Sequence, residues 1–88
     1  MNTLKSAFWD YPELTEEQHL RQVLEENRFL EDRRMYCWIM SRFLEHGRAV
    51  DAMRFFSLEE IAQHLSLLRL TPYTLAKWQR LIEVYRAA

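Results

Sequence analysis

Glycine occurs once in this chain of 88 residues, at Gly47, and proline twice, at Pro12 and Pro72. So few breakers leave no room for the many tight turns of an all-β fold. They also exclude the glycine-rich loops that cradle phosphates. A single cysteine, Cys37, excludes an intrachain disulfide and a zinc site built from several thiolates. No apolar run reaches the ~18 residues of a membrane span. The stretch from Met1 to Tyr11 has no basic region followed by an apolar segment, so no secretory signal is expected and the default location is cytoplasmic.

What is present points to helices. Leucine outnumbers valine plus isoleucine by 13 to 6, and β-branched residues are the ones that lose rotamer freedom in a helix. Apolar residues make up 49 %, enough to fold one domain, 1–88, though a chain this short has a marginal core. The fold class expected is all-α, a single small bundle of four to five helices.

Residues 1–14 read as an irregular lead-in with an aromatic patch, Phe8, Trp9 and Tyr11, packed onto the bundle as structural residues. A first helix is expected after Thr15, with Gln18 completing a capping box and Leu20, Val23, Leu24 and Asn27 on one face. A second runs from about Glu31 to His46, and Gly47 stands where a helix end needs positive φ. Its apolar residues, Met35 to Leu44, cover roughly 200°, against the ~100° of a surface helix, which makes it the central element. A short third helix is expected over Asp51 to Phe56. The fourth, about Leu58 to Leu67, has Ser57 as cap, Glu60 closing the box and Phe56 stapling to Ile61. Its outer face is read as Glu59, Glu60, Gln63 and His64. The fifth opens at Thr71-Pro72, with Leu75, Trp78, Leu81, Ile82 and Tyr85 inward.

No catalytic constellation is visible. His19, His46 and His64 fall on separate predicted helices, and Glu60 with His64 reads as a solvent-facing pair, so no metal or other cofactor is expected. Nothing near Cys37 in sequence would activate its thiol, which reads as a small buried apolar residue. The chain is expected to have no enzymatic activity.

Two binding readings remain. Trp38 falls on the polar side of the central helix, flanked by Arg34, Arg42 and Glu45. Tryptophan ringed by arginine is typical of interface hot spots. It is covered either by the chain's own first helix or lead-in, or by a second chain. A protein partner or self-association is therefore expected, with Trp38, Arg34 and Arg42 as the interface. The alternative reading is a DNA-binding regulator. Residues 57–85 resemble a helix-turn-helix, whose second helix would offer Tyr73, Thr74, Lys77 and Arg80 to bases and Arg69 to a phosphate. Charge is segregated along the chain, −5 over residues 1–32 and +4 over 33–88, which suits steering of a charged partner.

Three stretches carry a family resemblance. They are Phe8-Trp9-Asp10, Arg42-Phe43-Leu44-Glu45-His46-Gly47, and the run from Leu70 to Trp78 with its Leu-Thr-Pro-Tyr-Thr start. Together they resemble a family of short uncharacterised bacterial proteins that open with Phe-Trp-Asp and close on a Leu-Ser/Thr-Pro-x-Thr-x-x-x-Trp helix. Such proteins are often encoded beside nucleotidyltransferase-like abortive-infection toxins. The resemblance implies an antitoxin, adaptor or regulator, and it supplies no catalytic residues. Between Tyr11 and Met35 this chain departs from the pattern with an additional helix.

Overall fold

The computed structural model describes residues 3–28 and 30–87; the first two residues of the expected lead-in, and the last residue of the expected domain, lie outside them. The described residues form a small all-α bundle. Its helices are α1 (Thr3–Ala7), α2 (Glu17–Arg28), α3 (Arg34–His46), α4 (Ala49–Phe55), α5 (Leu58–His64) and α6 (Pro72–Ala87), with 3-10 turns at Pro12–Thr15 and Leu65–Leu67. The radius of gyration is 12.6 Å, close to the ~12 Å expected for a folded chain of this length.

Among the described residues there are six α-helices where four to five were expected, and the added one lies in the lead-in. Five residues are too few to hold a helix in water. Here Leu4, Ala7 and Phe8 share a face at helical spacing and are buried in the core, so packing supplies what propensity lacks. Thr15 does not cap α2. Its hydroxyl donates to the Pro12 carbonyl at 2.6 Å and closes the 3-10 turn, and α2 starts two residues later.

The helix α3 is the centre, as its wide apolar arc requires. Tyr36, Ile39, Met40, Phe43 and Leu44 are all buried. The Phe43 ring meets Phe8 at 5.6 Å, Phe55 at 5.0 Å and Phe56 at 5.8 Å between centroids, joining the N-terminal segment to α4 and its exit. The helix starts at Arg34, three residues later than expected. The Asp32 carboxylate accepts from the Arg34 backbone N–H at 3.1 Å and also holds the Arg34 guanidinium, so it organises the entry from outside. Gly47 does not take positive φ. At φ −96° and ψ 173° it is extended, and its N–H still reaches the Phe43 carbonyl at 2.8 Å, so the chain leaves α3 directly into α4.

Local signals place the last two helices well. Ser57 and Glu60 form the reciprocal capping box, with the Glu60 N–H donating to Ser57 Oγ at 3.1 Å. The α6 cap is tied to α3. Thr71 accepts from the Thr74 N–H at 3.4 Å while its hydroxyl donates to Glu45 at 2.7 Å. Burial would raise the Glu45 carboxyl, but the bonds from Thr71 and Thr74 outweigh it and hold the group below its ordinary value. Trp78 and Ile82 are the buried anchors of α6, whereas Tyr85, expected inward, is exposed, although Arg86 beside it still reaches Glu59 of α5. The Trp78 Nε1 is buried without a hydrogen-bond partner, so apolar burial alone carries this anchor.

The aromatic patch divides. Phe8 is fully buried, but Trp9 is 62 % exposed and does not belong to the core. Phe8→Ala is expected to cost ~3–5 kcal/mol of stability and to lower the urea midpoint accordingly. Trp9→Ala is expected to cost less than ~1 kcal/mol, the scale of an exposed cation–π contact. Equal shifts in the two unfolding curves would contradict this division.

Candidate functional site

Arg42 organises the N-terminal side of the bundle. Its Nε donates to the carbonyl of Ala7 at 2.8 Å, capping the end of α1, and its Nη2 pairs with Asp10. The guanidinium stands 4.6 Å from the centroid of Trp9 and 5.4 Å from that of Trp38. Its side chain is only 17 % exposed, so its contact with half-buried Trp38 is shielded from water, whereas that with Trp9 remains on the scale of a surface contact. Arg42 thus works within the chain rather than as a free interface residue.

Trp38 is half-buried. Phe8 covers it from one side at 5.9 Å and Tyr11 meets it edge-on at 5.0 Å. Of the coverings open to it, the chain's own lead-in supplies this one. The uncovered part of Trp38 lines a groove of about 760 Å³ between the 3-10 turn, α2 and the start of α3. Leu14, Val23 and Trp38 are its less exposed lining, while Tyr11, Leu30 and Met35 are exposed on it. Met35 was expected in the core arc of α3, but at the first turn of that helix it is 46 % exposed and faces the groove. Glu13 and the Asp32–Arg34 pair supply the charged lining, and His19 stands beside them. Arg34, read as an interface residue, therefore stands on the groove, with its guanidinium held by Asp32 at 2.7 Å.

One end of the groove adjoins an acidic hollow of about 350 Å³ that shares Glu13 and His19 and adds Glu16. Glu13 and Glu16 make no ion pair among the described residues. Apolar walls with unneutralised carboxylates at one end suit a segment that is apolar on one face and basic at its flank.

The residues expected to read DNA are only partly available. Arg69, Tyr73, Lys77 and Arg80 are exposed. Thr74 is 4 % exposed and its hydroxyl lies 3.1 Å from that of Thr71, so it belongs to the α6 cap and cannot face a base. Tyr73, Lys77, Arg80 and Val84 form one narrow stripe on the outer face of α6 at four, three and four residue steps. The cations Arg69, Lys77 and Arg80 have no ion-pair partner among the described residues, whereas Arg86 is paired with Glu59 at 3.1 Å.

A second polar group was missed by sequence reasoning. Glu60 and His64, read as facing solvent, turn inward. The Tyr36 hydroxyl donates to Glu60, which also pairs with Arg28 at 3.4 Å. Arg33 donates to His64 Nε2 at 2.8 Å, which leaves the ring hydrogen on Nδ1, bonded to the Glu60 carbonyl at 2.7 Å. His64 is buried with its ring 5.4 Å from that of Tyr36. The signal for this was the arginine pair Arg28 and Arg33 flanking the α2–α3 connection, but their partners lie some thirty residues away. The network is a structural clamp between α3 and α5. Cys37 is half-buried, and burial pushes its thiol up despite the opposing charge of Arg33, so its thiolate is disfavoured. Among the described residues no group of three or more His, Cys, Asp and Glu could hold a metal, and no helix is long and apolar enough to cross a membrane. Comparison with family models, curated proteins and solved structures gives no match.

The clamp has a pH signature. Burial would raise the Glu60 carboxyl, but the Tyr36 hydroxyl, the Ser57 cap and Arg28 together hold it below its ordinary value. Burial, then the adjacent Glu60, pushes the Tyr36 phenol up. A lowered folded pKa contributes stability that is complete above the ordinary carboxylate range and is lost as pH falls through the folded value. Glu60→Gln should therefore destabilise the chain by about 1.5–3 kcal/mol at neutral pH. The gap to wild type should narrow below pH ~4, as urea unfolding across pH will read. A gap independent of pH would exclude the charged clamp.

Proposed function

We propose that this chain is a protein-interaction module without catalysis of its own, and that the groove beside Trp38 receives an amphipathic, basic helix. The observation that carries this reading is the groove itself. It combines an apolar lining of Leu14, Val23 and Trp38 with exposed Tyr11, Leu30 and Met35, and it ends at the unpaired carboxylates Glu13 and Glu16. Three exposed large apolar side chains on one concavity are costly in water unless something covers them. A helix laid into a groove through residues at i, i+3, i+4 and i+7 covers such a surface, and its basic flank would meet the acidic end. An antitoxin-like or adaptor role, which the family resemblance implies, is a role for such a module.

A synthetic helix with leucine at those four spacings and lysine on its flanks is the direct probe. Labelled peptide should bind with Kd of roughly 1–100 μM by fluorescence anisotropy. The double change Leu30→Lys plus Met35→Lys should weaken it at least tenfold with little effect on folding, since both positions are exposed. The same peptide with glutamate in place of lysine should also bind at least tenfold more weakly. Equal binding of the two peptides, or no effect of the double change, would sink this reading.

A further inference from the structure

We propose that the helix the groove accepts is α6 of a second copy of this chain, so that the protein self-associates by placing the α6 stripe of one copy in the groove of the next. This rests on the groove reading above and names its partner.

The stripe has the chemistry the groove lacks. Tyr73 and Val84 are 78 % and 57 % exposed on the outer face of a 16-residue helix. Between them, on the same face, lie Lys77 and Arg80. Helix geometry puts the four within roughly 60° of one another over about 16 Å. The stripe carries two cations between an exposed tyrosine and an exposed valine, so Lys77 and Arg80 would meet the acidic hollow while an apolar end of the stripe reaches the groove wall.

Charge matching supports the pairing. Lys77, Arg80 and the nearby Arg69 have no ion partner among the described residues, while most other arginines do. Glu13 and Glu16, which line the hollow at the end of the groove, likewise make no ion pair among the described residues. Two unneutralised sets of opposite sign, each beside exposed apolar side chains, occupy different parts of one chain. No α6 residue lines the groove, so a chain does not fill its own groove with this stripe. A second copy brings the two together and covers Tyr11, Leu30 and Met35 on one side and Tyr73 and Val84 on the other. Because the two surfaces differ, the contact is head-to-tail unless two copies exchange it reciprocally.

Charge reversal tests the pairing in the full-length protein. Wild type should associate in sedimentation velocity between about 1 and 200 μM, more weakly as salt shortens electrostatic reach. Lys77→Glu plus Arg80→Glu, and separately Glu13→Lys plus Glu16→Lys, should each weaken self-association at least tenfold while helical circular dichroism is retained. Mixing the two variants should restore association, because each keeps the surface the other has lost. A wild type monomeric throughout that range overturns the proposal, as does failure of the mixture to recover. Salt-sensitive DNA binding by a monomeric wild type, lost in Lys77→Glu plus Arg80→Glu, would overturn it and assign the stripe to nucleic acid. The groove reading fails separately. A monomer that still binds the synthetic basic helix keeps the groove and loses only the second copy. Self-association unaffected by Leu30→Lys plus Met35→Lys overturns the placement of α6 in the groove, whereas only failure to bind the synthetic helix removes the groove itself.

Discussion

The seating of Arg42 is the constraint on which the N-terminal half depends. One guanidinium caps α1 through the Ala7 carbonyl, pairs with Asp10 and lies against Trp9 and Trp38. A helix of five residues has no stability of its own. Anchored to α3, it delivers Phe8 into the core and sets Tyr11 against Trp38, which forms one wall of the groove. The groove is thus a consequence of how the lead-in is fastened. Arginine suits the task because its planar fork can donate to a carbonyl and a carboxylate while its face meets aromatic rings.

The opposite side of α3 is fastened by a different chemistry. Tyr36, Glu60, Arg28, His64 and Arg33 form a polar network linking α3, α5 and the α2–α3 connection. Buried polar groups are costly unless they are partnered, and here each bond also fixes one helix against another. With few residues to bury, a small domain gains specificity from such a clamp even where its net contribution to stability is modest. Away from the two fastenings, the groove and the α6 stripe are places where apolar and unpaired charged side chains reach solvent together.

Much of the fold was legible in the sequence because its signals are local. The Ser57–Glu60 box and the Thr71-Pro72 start each act within one helical turn, so residue identity and spacing suffice to find them. The wide apolar arc of α3 marked it as central for the same reason. The misreadings share one physical origin. Helical periodicity tells which residues share a face, but not whether a neighbour covers that face. His64 looked exposed because it shares a face with Glu60, yet Arg33 draws it inward. Tyr85 and Met35 looked buried because they continue an apolar stripe, yet both are left largely in solvent.

The candidate site shows the same boundary. Composition and spacing determined an all-α chain, a central helix bearing Trp38, and cations on the outer face of the last helix. Those properties reside in single helices and need no knowledge of how the helices pack. Tertiary structure alone decided that Arg42 is consumed inside the chain, that Arg34 is held by Asp32, and that Trp38 opens onto a groove with Leu14, Val23 and Met35. A groove is a relation between elements, and its walls come from residues spread over positions 11–38. Only the closing of those long loops, driven by burial of Phe8 and Leu20 against α3, brings the walls together.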